Sequence, residues 1–88
     1  MKIKDGFTLR NIAGCEIVVP VGNAIKTFNG MITLNDSASF FWQLMQKDTD
    51  VEQMVKRTTE EYEVSEDKAK EDIENFISLL KENNLIEE

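Results

Sequence analysis

No histidine occurs anywhere in the 88 residues. Its absence removes Ser-His-Asp and Cys-His catalytic arrangements, and metal sites built on imidazole. Only one cysteine is present, Cys15, so no internal disulfide can form. It lies in an alternating apolar run, Cys15-x-Ile17-x-Val19, where a small buried residue is expected. A nucleophilic or redox thiol needs an activating neighbour, and none is evident; reduced cytoplasm is the fitting setting. The four glycines, Gly6, Gly14, Gly22 and Gly30, are spaced like turn residues. They make no phosphate-cradling loop. No apolar stretch approaches transmembrane length, and Met1–Gly6 lacks the apolar core of a signal peptide. The expectation is no membrane association. Nor is there a Pro/Ser/Gly-rich linker, so residues 1–88 read as a single domain.

Basic charge is also scarce. Ten Lys and Arg face seventeen Asp and Glu, for a net of −7. The imbalance is uneven. Residues 1–34 hold Lys2, Lys4, Arg10 and Lys26 against Asp5 and Glu16, a net of +2, which leaves −9 for residues 35–88. An acidic domain repels phosphate backbones, so nucleic acid is not an expected partner. The mildly basic N-terminal part suits an acidic peptide better. The acidic pairs Glu60-Glu61 and Glu71-Asp72 lack the spacing of a calcium loop and read as solvated helix faces. No cofactor and no metal is expected, and no catalysis.

What is present is a β-rich first third and a helical remainder. Phe7-Thr8-Leu9-Arg10 alternates like a half-buried strand, and Ala13-Gly14 is a turn candidate. Cys15, Ile17, Val19 and Val21 line one face of a second strand, with Glu16, Val18 and Pro20 on the other. Pro20 has no N–H for a ladder, so that end is an edge or a terminus. Gly22-Asn23 and Asn29-Gly30 are further turn signals. Asn-Gly can close a local hairpin between Ile25–Phe28 and Met31–Leu34. Alternatively, Val21–Gly30 is a long connection and Met31–Leu34 pairs with the second strand.

Three helices follow. Asn35 or Asp36 caps the first, through a short side-chain oxygen that accepts from unpaired N–H groups. The same capping role accounts for Asn35-Asp36-Ser37 better than a glycosylation acceptor does. Ala38, Phe41, Trp42 and Met45 form its inner stripe, and Lys47-Asp48 ends it. Thr49-x-x-Glu52 reads as a capping box for the second helix, with Val51, Met54, Val55, Thr58 and Tyr62 at helical intervals. Ser65 caps the third, with Glu66 and Asp67 in its first turn and Val64 and Ala69 at staple positions. Its inner face is Ala69, Ile73, Phe76, Ile77 and Leu80. Asn83-Asn84 suits a left-handed C-cap. Leu85-Ile86 then packs back onto the core or forms a short strand. Strands segregated from helices define an α+β class: a three-stranded antiparallel sheet followed by three helices, winged helix-turn-helix-like. Residues 66–82, six acids against three lysines, carry −3 and would be repelled from a DNA groove. A winged-helix DNA regulator is therefore the third-ranked reading.

The run Phe28-Asn29-Gly30-Met31-Ile32-Thr33-Leu34-Asn35-Asp36-Ser37-Ala38, followed by Phe41, Trp42 and Leu44, resembles the PqqD-like family. Tyr62-Glu63-Val64 leading into Ser65, the long third helix and the Leu85-Ile86 ending extend the resemblance over most of the chain. It implies a non-catalytic recognition domain for ribosomally synthesised precursor peptides. The leader segment would add antiparallel to the third strand, in a cleft against the third helix. It would then be presented to a modifying enzyme, such as a radical S-adenosylmethionine protein. Carried over residue by residue, Met31, Ile32, Thr33 and Leu34 form the strand wall. The helix wall is drawn from Ala69, Lys70, Ile73, Phe76 and Ile77. Val21–Phe28 departs from the family form dedicated to pyrroloquinoline quinone assembly by its apparent length, so that cofactor is not assigned as the product. The alternative from the residues alone is a generic protein-interaction or homo-oligomerisation module, because an open strand edge can also pair with a second copy as a homodimer.

Overall fold

The computed structural model describes residues 1–22, 25 and 32–87. Among the described residues eight elements follow in order: β1 (Lys2–Ile3), β2 (Phe7–Ile12), β3 (Cys15–Pro20), β4 (Ile32–Leu34), α1 (Asp36–Leu44), α2 (Val51–Glu61), α3 (Glu66–Glu82) and β5 (Ile86–Glu87). A three-stranded antiparallel sheet runs β2-β3-β4, and β1 pairs with β5 in a separate two-stranded ladder. The α+β architecture with three helices after the sheet is the one expected. Among the described residues, no helix is long and apolar enough to cross a membrane.

The β2–β3 hairpin is closed by Ala13 and Gly14, both at positive φ (54° and 83°), between the paired Ile12 and Cys15. Two positive-φ residues make a mirror-image turn whose twist matches the strands it joins. Gly14 adopts that conformation without penalty; Ala13 does so at a cost, because its Cβ crowds the following carbonyl.

Strand β3 buries one residue on each face: Val18 enters the main cluster, and Ile17, on the face shared with Cys15 and Val19, is buried outside it. Val18 is fully buried within the main cluster, joined by Leu34 and by the partly buried Phe7, Leu9 and Ile32. Cross-strand partners share a face, and Leu9 lies opposite Val18, which lies opposite Ile32. Cys15, expected to be buried, is exposed. The alternation of apolar residues was real, but both faces of β3 are apolar. Period alone could not say which face the helices would cover.

Helix ends follow local capping chemistry. Asn35, not Asp36, caps α1: its Oδ1 accepts from the Ala38 N–H at 2.8 Å. Helix α1 stops at Leu44 with Met45 as C-cap, short of the expected Lys47-Asp48. Asp50, not Thr49, caps α2, accepting from the Gln53 N–H at 2.9 Å. The sequence holds two overlapping cap patterns, and the carboxylate one residue further on takes the role. Ser65 caps α3 as expected, and Asn84 takes the left-handed conformation (φ 60°) beyond its C-cap, Asn83.

The core joins Phe41, Trp42 and Met45 of α1, Met54 of α2, and Ile73, Phe76, Ile77 and Leu80 of α3. Ala69 is buried as well, which completes the inner stripe of α3. Tyr62, at the end of α2, is exposed, and its ring sets its edge against Phe40 at 5.3 Å.

The β1–β5 ladder was legible only at its second strand. It pairs Lys2 with Glu87 and Ile3 with Ile86. Ile3 N–H also donates to the Met45 carbonyl at 2.9 Å, and Lys4 N–H to the Leu85 carbonyl at 2.8 Å. The first four residues thus tie the end of α1 to the chain that leaves α3. Leu85 is fully buried, so both readings of Leu85-Ile86 hold together: a short strand that also packs on the core.

Candidate functional site

The phase of the sheet decides which backbone groups are open to a partner. In a two-residue hairpin the flanking residues, here Ile12 and Cys15, exchange both hydrogen bonds. Backbone groups then alternate sides along β3, so those of Cys15, Ile17 and Val19 point to β2. The Val21 N–H bonding the Gly6 carbonyl at 2.8 Å agrees with this phase. Glu16 and Val18 therefore point to β4, where they face Leu34 and Ile32. Thr33, opposite Ile17, is the unbonded position of that pair. Its N–H and C=O point away from β3, to the outer side of β4. Among the described residues β4 pairs on one side only, and Thr33 is exposed.

This placement sorts the expected strand wall. Ile32 and Leu34 turn their side chains inward, half-buried and buried, while Thr33 offers backbone outward. Met31 lies outside the described residues, as does nearly all of the suggested Ile25–Phe28 strand. Of the two pairings left open, Ile32–Leu34 pairs with β3.

Beside β4, where Leu34 passes into the Asn35 cap, a groove of about 430 Å³ opens between the start of α1 and the side of α3. Its α1 side is Asn35, Ser37, Ala38 and Phe41. Its α3 side is Lys68, Asp72, Asn75, Phe76 and Leu79, residues that recur at helical spacing on one flank. The aromatic pair Phe41–Phe76, ring centroids 5.8 Å apart, belongs to both the groove and the core. The rim carries an i,i+4 ion pair, Lys68 Nζ to Asp72 Oδ1 at 2.9 Å. The hydrogen bond from this ammonium to Asp72 holds Lys68 above the ordinary lysine range, and the Asp72 charge adds to it.

Of the helix-wall residues expected from the sequence, Phe76 alone lines this groove. Ala69, Ile73 and Ile77 are buried beneath α3 as core. Lys70 lines a different groove, between α2 and α3, with Val51, Glu52, Val55, Lys56, Thr59, Glu66 and Asp67. Residues 68, 72 and 75 were not singled out because polar positions carry no hydrophobic signal, and Leu79 because it falls outside the inner stripe. Helical spacing from Phe76 would have pointed to them.

The family comparison covers most of the fold just described. The chain belongs to the PqqD family, described as Coenzyme PQQ synthesis protein D, whose model matches residues 17–86. That span begins within β3 and ends in β5, and so takes in β4, the groove and all three helices. Among solved structures, the chain is similar to one described as TbiB1 in complex with the TbiA(beta) leader peptide. The TM-score is 0.77 at 23% identity, over 99% of this chain and 95% of that one, which establishes a shared fold. No curated protein matches.

Proposed function

We propose that this protein is a recognition domain that binds the leader segment of a ribosomally synthesised precursor peptide and presents it to a modifying enzyme. The observation that carries the reading is the outward-facing backbone of Thr33 beside the groove of α1 and α3. An extended peptide gains affinity by adding to an open strand edge, and specificity from pockets beside it. Membership of the PqqD family and the shared fold with a leader-peptide complex support this reading. In it Ile32–Leu34 form the strand wall, and the expectation for Met31 falls outside the described residues. The helix wall moves to Phe76 with Lys68, Asp72, Asn75 and Leu79, while Ala69, Ile73 and Ile77 hold the helix in place from below. Lys70 faces the α2 side and is free for another contact.

The domain supplies binding and performs no chemistry of its own; covalent steps fall to the partner enzyme, a radical S-adenosylmethionine protein being the type that the family resemblance suggests. Residues 1–88 act as one unit, since β1 and β5 close the two ends of the described chain on each other. An exposed, unpaired thiol at Cys15 fits a reducing, cytoplasmic setting.

The test is capture of the tagged protein from its host lysate after mild crosslinking, run beside Thr33→Pro. Proline at this position removes an N–H that β3 does not use, so the variant should keep a native circular dichroism spectrum. A short peptide and a modifying enzyme recovered with the wild type, and the peptide lost from Thr33→Pro, is the expected result. Equal recovery of the peptide by a folded Thr33→Pro protein rejects strand addition at β4. Recovery of its own chain alone, at adequate depth, shifts the reading to self-association.

A further inference from the structure

Resting on that reading, we infer that the recognised peptide segment carries two uncharged apolar side chains separated by one unconstrained residue, and that the groove selects against charge at both. The argument begins with phase. A peptide residue directly opposite Thr33 shares its face, and Thr33 lies on the sheet face opposite to Ile32 and Leu34. That side chain therefore points away from the helices and is free to vary. Its two neighbours point to the helix side, whichever way the peptide runs. One comes to lie beside Leu34 and the other beside Ile32.

The position beside Leu34 leads into the groove of Ala38, Phe41, Phe76 and Leu79. Its inner surface is aromatic and aliphatic, backed by the Phe41–Phe76 contact. The position beside Ile32 meets a half-buried aliphatic surface packed against the same core. Both therefore reward apolar surface. Selection by charge would need an unpaired ion at the rim. The two charged residues there, Lys68 and Asp72, neutralise each other at 2.9 Å, and the remaining polar lining, Asn35, Ser37 and Asn75, is uncharged. A peptide carboxylate or ammonium entering the groove would lose water and find its counter-charge already paired. With two inward residues two apart, the motif is apolar-x-apolar. Binding by backbone pairing and apolar fill should change by no more than about threefold between low and high salt.

The probe is a displayed library of random-sequence peptides selected on the purified protein, with enriched sequences resynthesised and scanned. Two variants accompany it: Thr33→Pro and Lys56→Met. The expected result is enrichment of apolar-x-apolar. Binding should fall about tenfold or more when either apolar residue becomes Asp or Lys, since each exchange buries an unpaired charge. It should change little when the middle residue does. Thr33→Pro should lose binding, while Lys56→Met, whose side chain lines the separate α2–α3 groove, retains it within about threefold. Binders that need Thr33 but carry a required charge at either inward position would overturn the inference and leave strand addition standing. Binders indifferent to Thr33→Pro, or no binders at all, would overturn the strand-addition reading and this inference with it.

Discussion

The two shortest paired regions of the molecule are put to opposite uses. The β1–β5 ladder is only two residues long on each strand, yet further backbone bonds close its β1 side. Lys2 and Ile3 pair with Glu87 and Ile86, Ile3 also bonds Met45, and Lys4 bonds Leu85. Its side chains Ile3, Leu85 and Ile86 are buried. Strand β4 is three residues long and pairs on one side, leaving the Thr33 backbone open beside a groove. Short strands contribute little by themselves. What differs is whether the surroundings use up the polar groups. The closed ladder fastens the fold, and the open strand keeps hydrogen-bonding capacity available to a partner.

Breaking the closed ladder should have the largest effect. Leu85→Ala removes a fully buried side chain and should destabilise by about 2–5 kcal/mol. Thermal or urea unfolding measures it, and the protein that remains folded should bind peptide as before. A loss of affinity in that folded fraction would mean that the two regions are coupled. The converse substitution, Thr33→Pro, should lower peptide affinity at least about tenfold, as one backbone hydrogen bond goes and a ring is placed at the edge. Calorimetric titration reads the affinity, and urea unfolding should move by less than about 1 kcal/mol because that N–H has no partner in the sheet. A comparable loss of stability would show that the phase derived from the Ala13-Gly14 turn is wrong.

That turn offers a smaller test. Ala13→Asn should stabilise by about 0.5–1 kcal/mol, because Asn tolerates the positive φ that Ala13 holds at a cost. Peptide affinity should not change, since Ala13 and Gly14 are exposed and neither lines the groove nor pairs with β4. The smallest effect concerns pH. The pKa of Lys68 is raised by its bond to Asp72, so any contribution of the pair is complete below the ordinary lysine value and is lost only as pH rises through the raised one. Between about pH 6 and 9 the groove should therefore keep its charge state. Affinity for a peptide without titrating groups should be flat over that range, and a slope would reveal another titrating group at the site.

Capping signals and helix periodicity survived the passage from sequence to structure best. Ser65, Asn84 and the stripe Ala69, Ile73, Phe76, Ile77, Leu80 stand where local chemistry puts them, because a cap or a stripe depends on neighbours within a few residues. Boundaries were less secure where two caps competed, as at Thr49 and Asp50. Cys15 is exposed and not buried for a different reason, which lies in the two faces of β3. Both carry apolar residues, and which face is covered depends on helices that come later in the chain. Lys2-Ile3 gave no signal at all, since two residues have no period and their partner lies at the opposite end.

The site divides along the same line. The order of elements, the family resemblance and the strand beside a helix were legible from residues 28–45 and 62–86. Which flank of α3 borders β4 was not. A helix sequence fixes the angle between its own residues but not the rotation of the whole helix about its axis. That rotation is set when Ile73 and Leu80 pack against Val18, Leu34 and Met54 in one shared core. Once it is set, Lys68, Asp72, Asn75 and Leu79 turn to the groove and Lys70 turns to α2. The sequence by itself determined the helices, the Ser65 cap and the inner stripe of α3, because these arise from contacts a few residues apart. Only the tertiary structure decided that the Thr33 backbone would face outward and which flank of α3 would line the groove with α1, because both follow from pairing and packing between segments far apart in the chain.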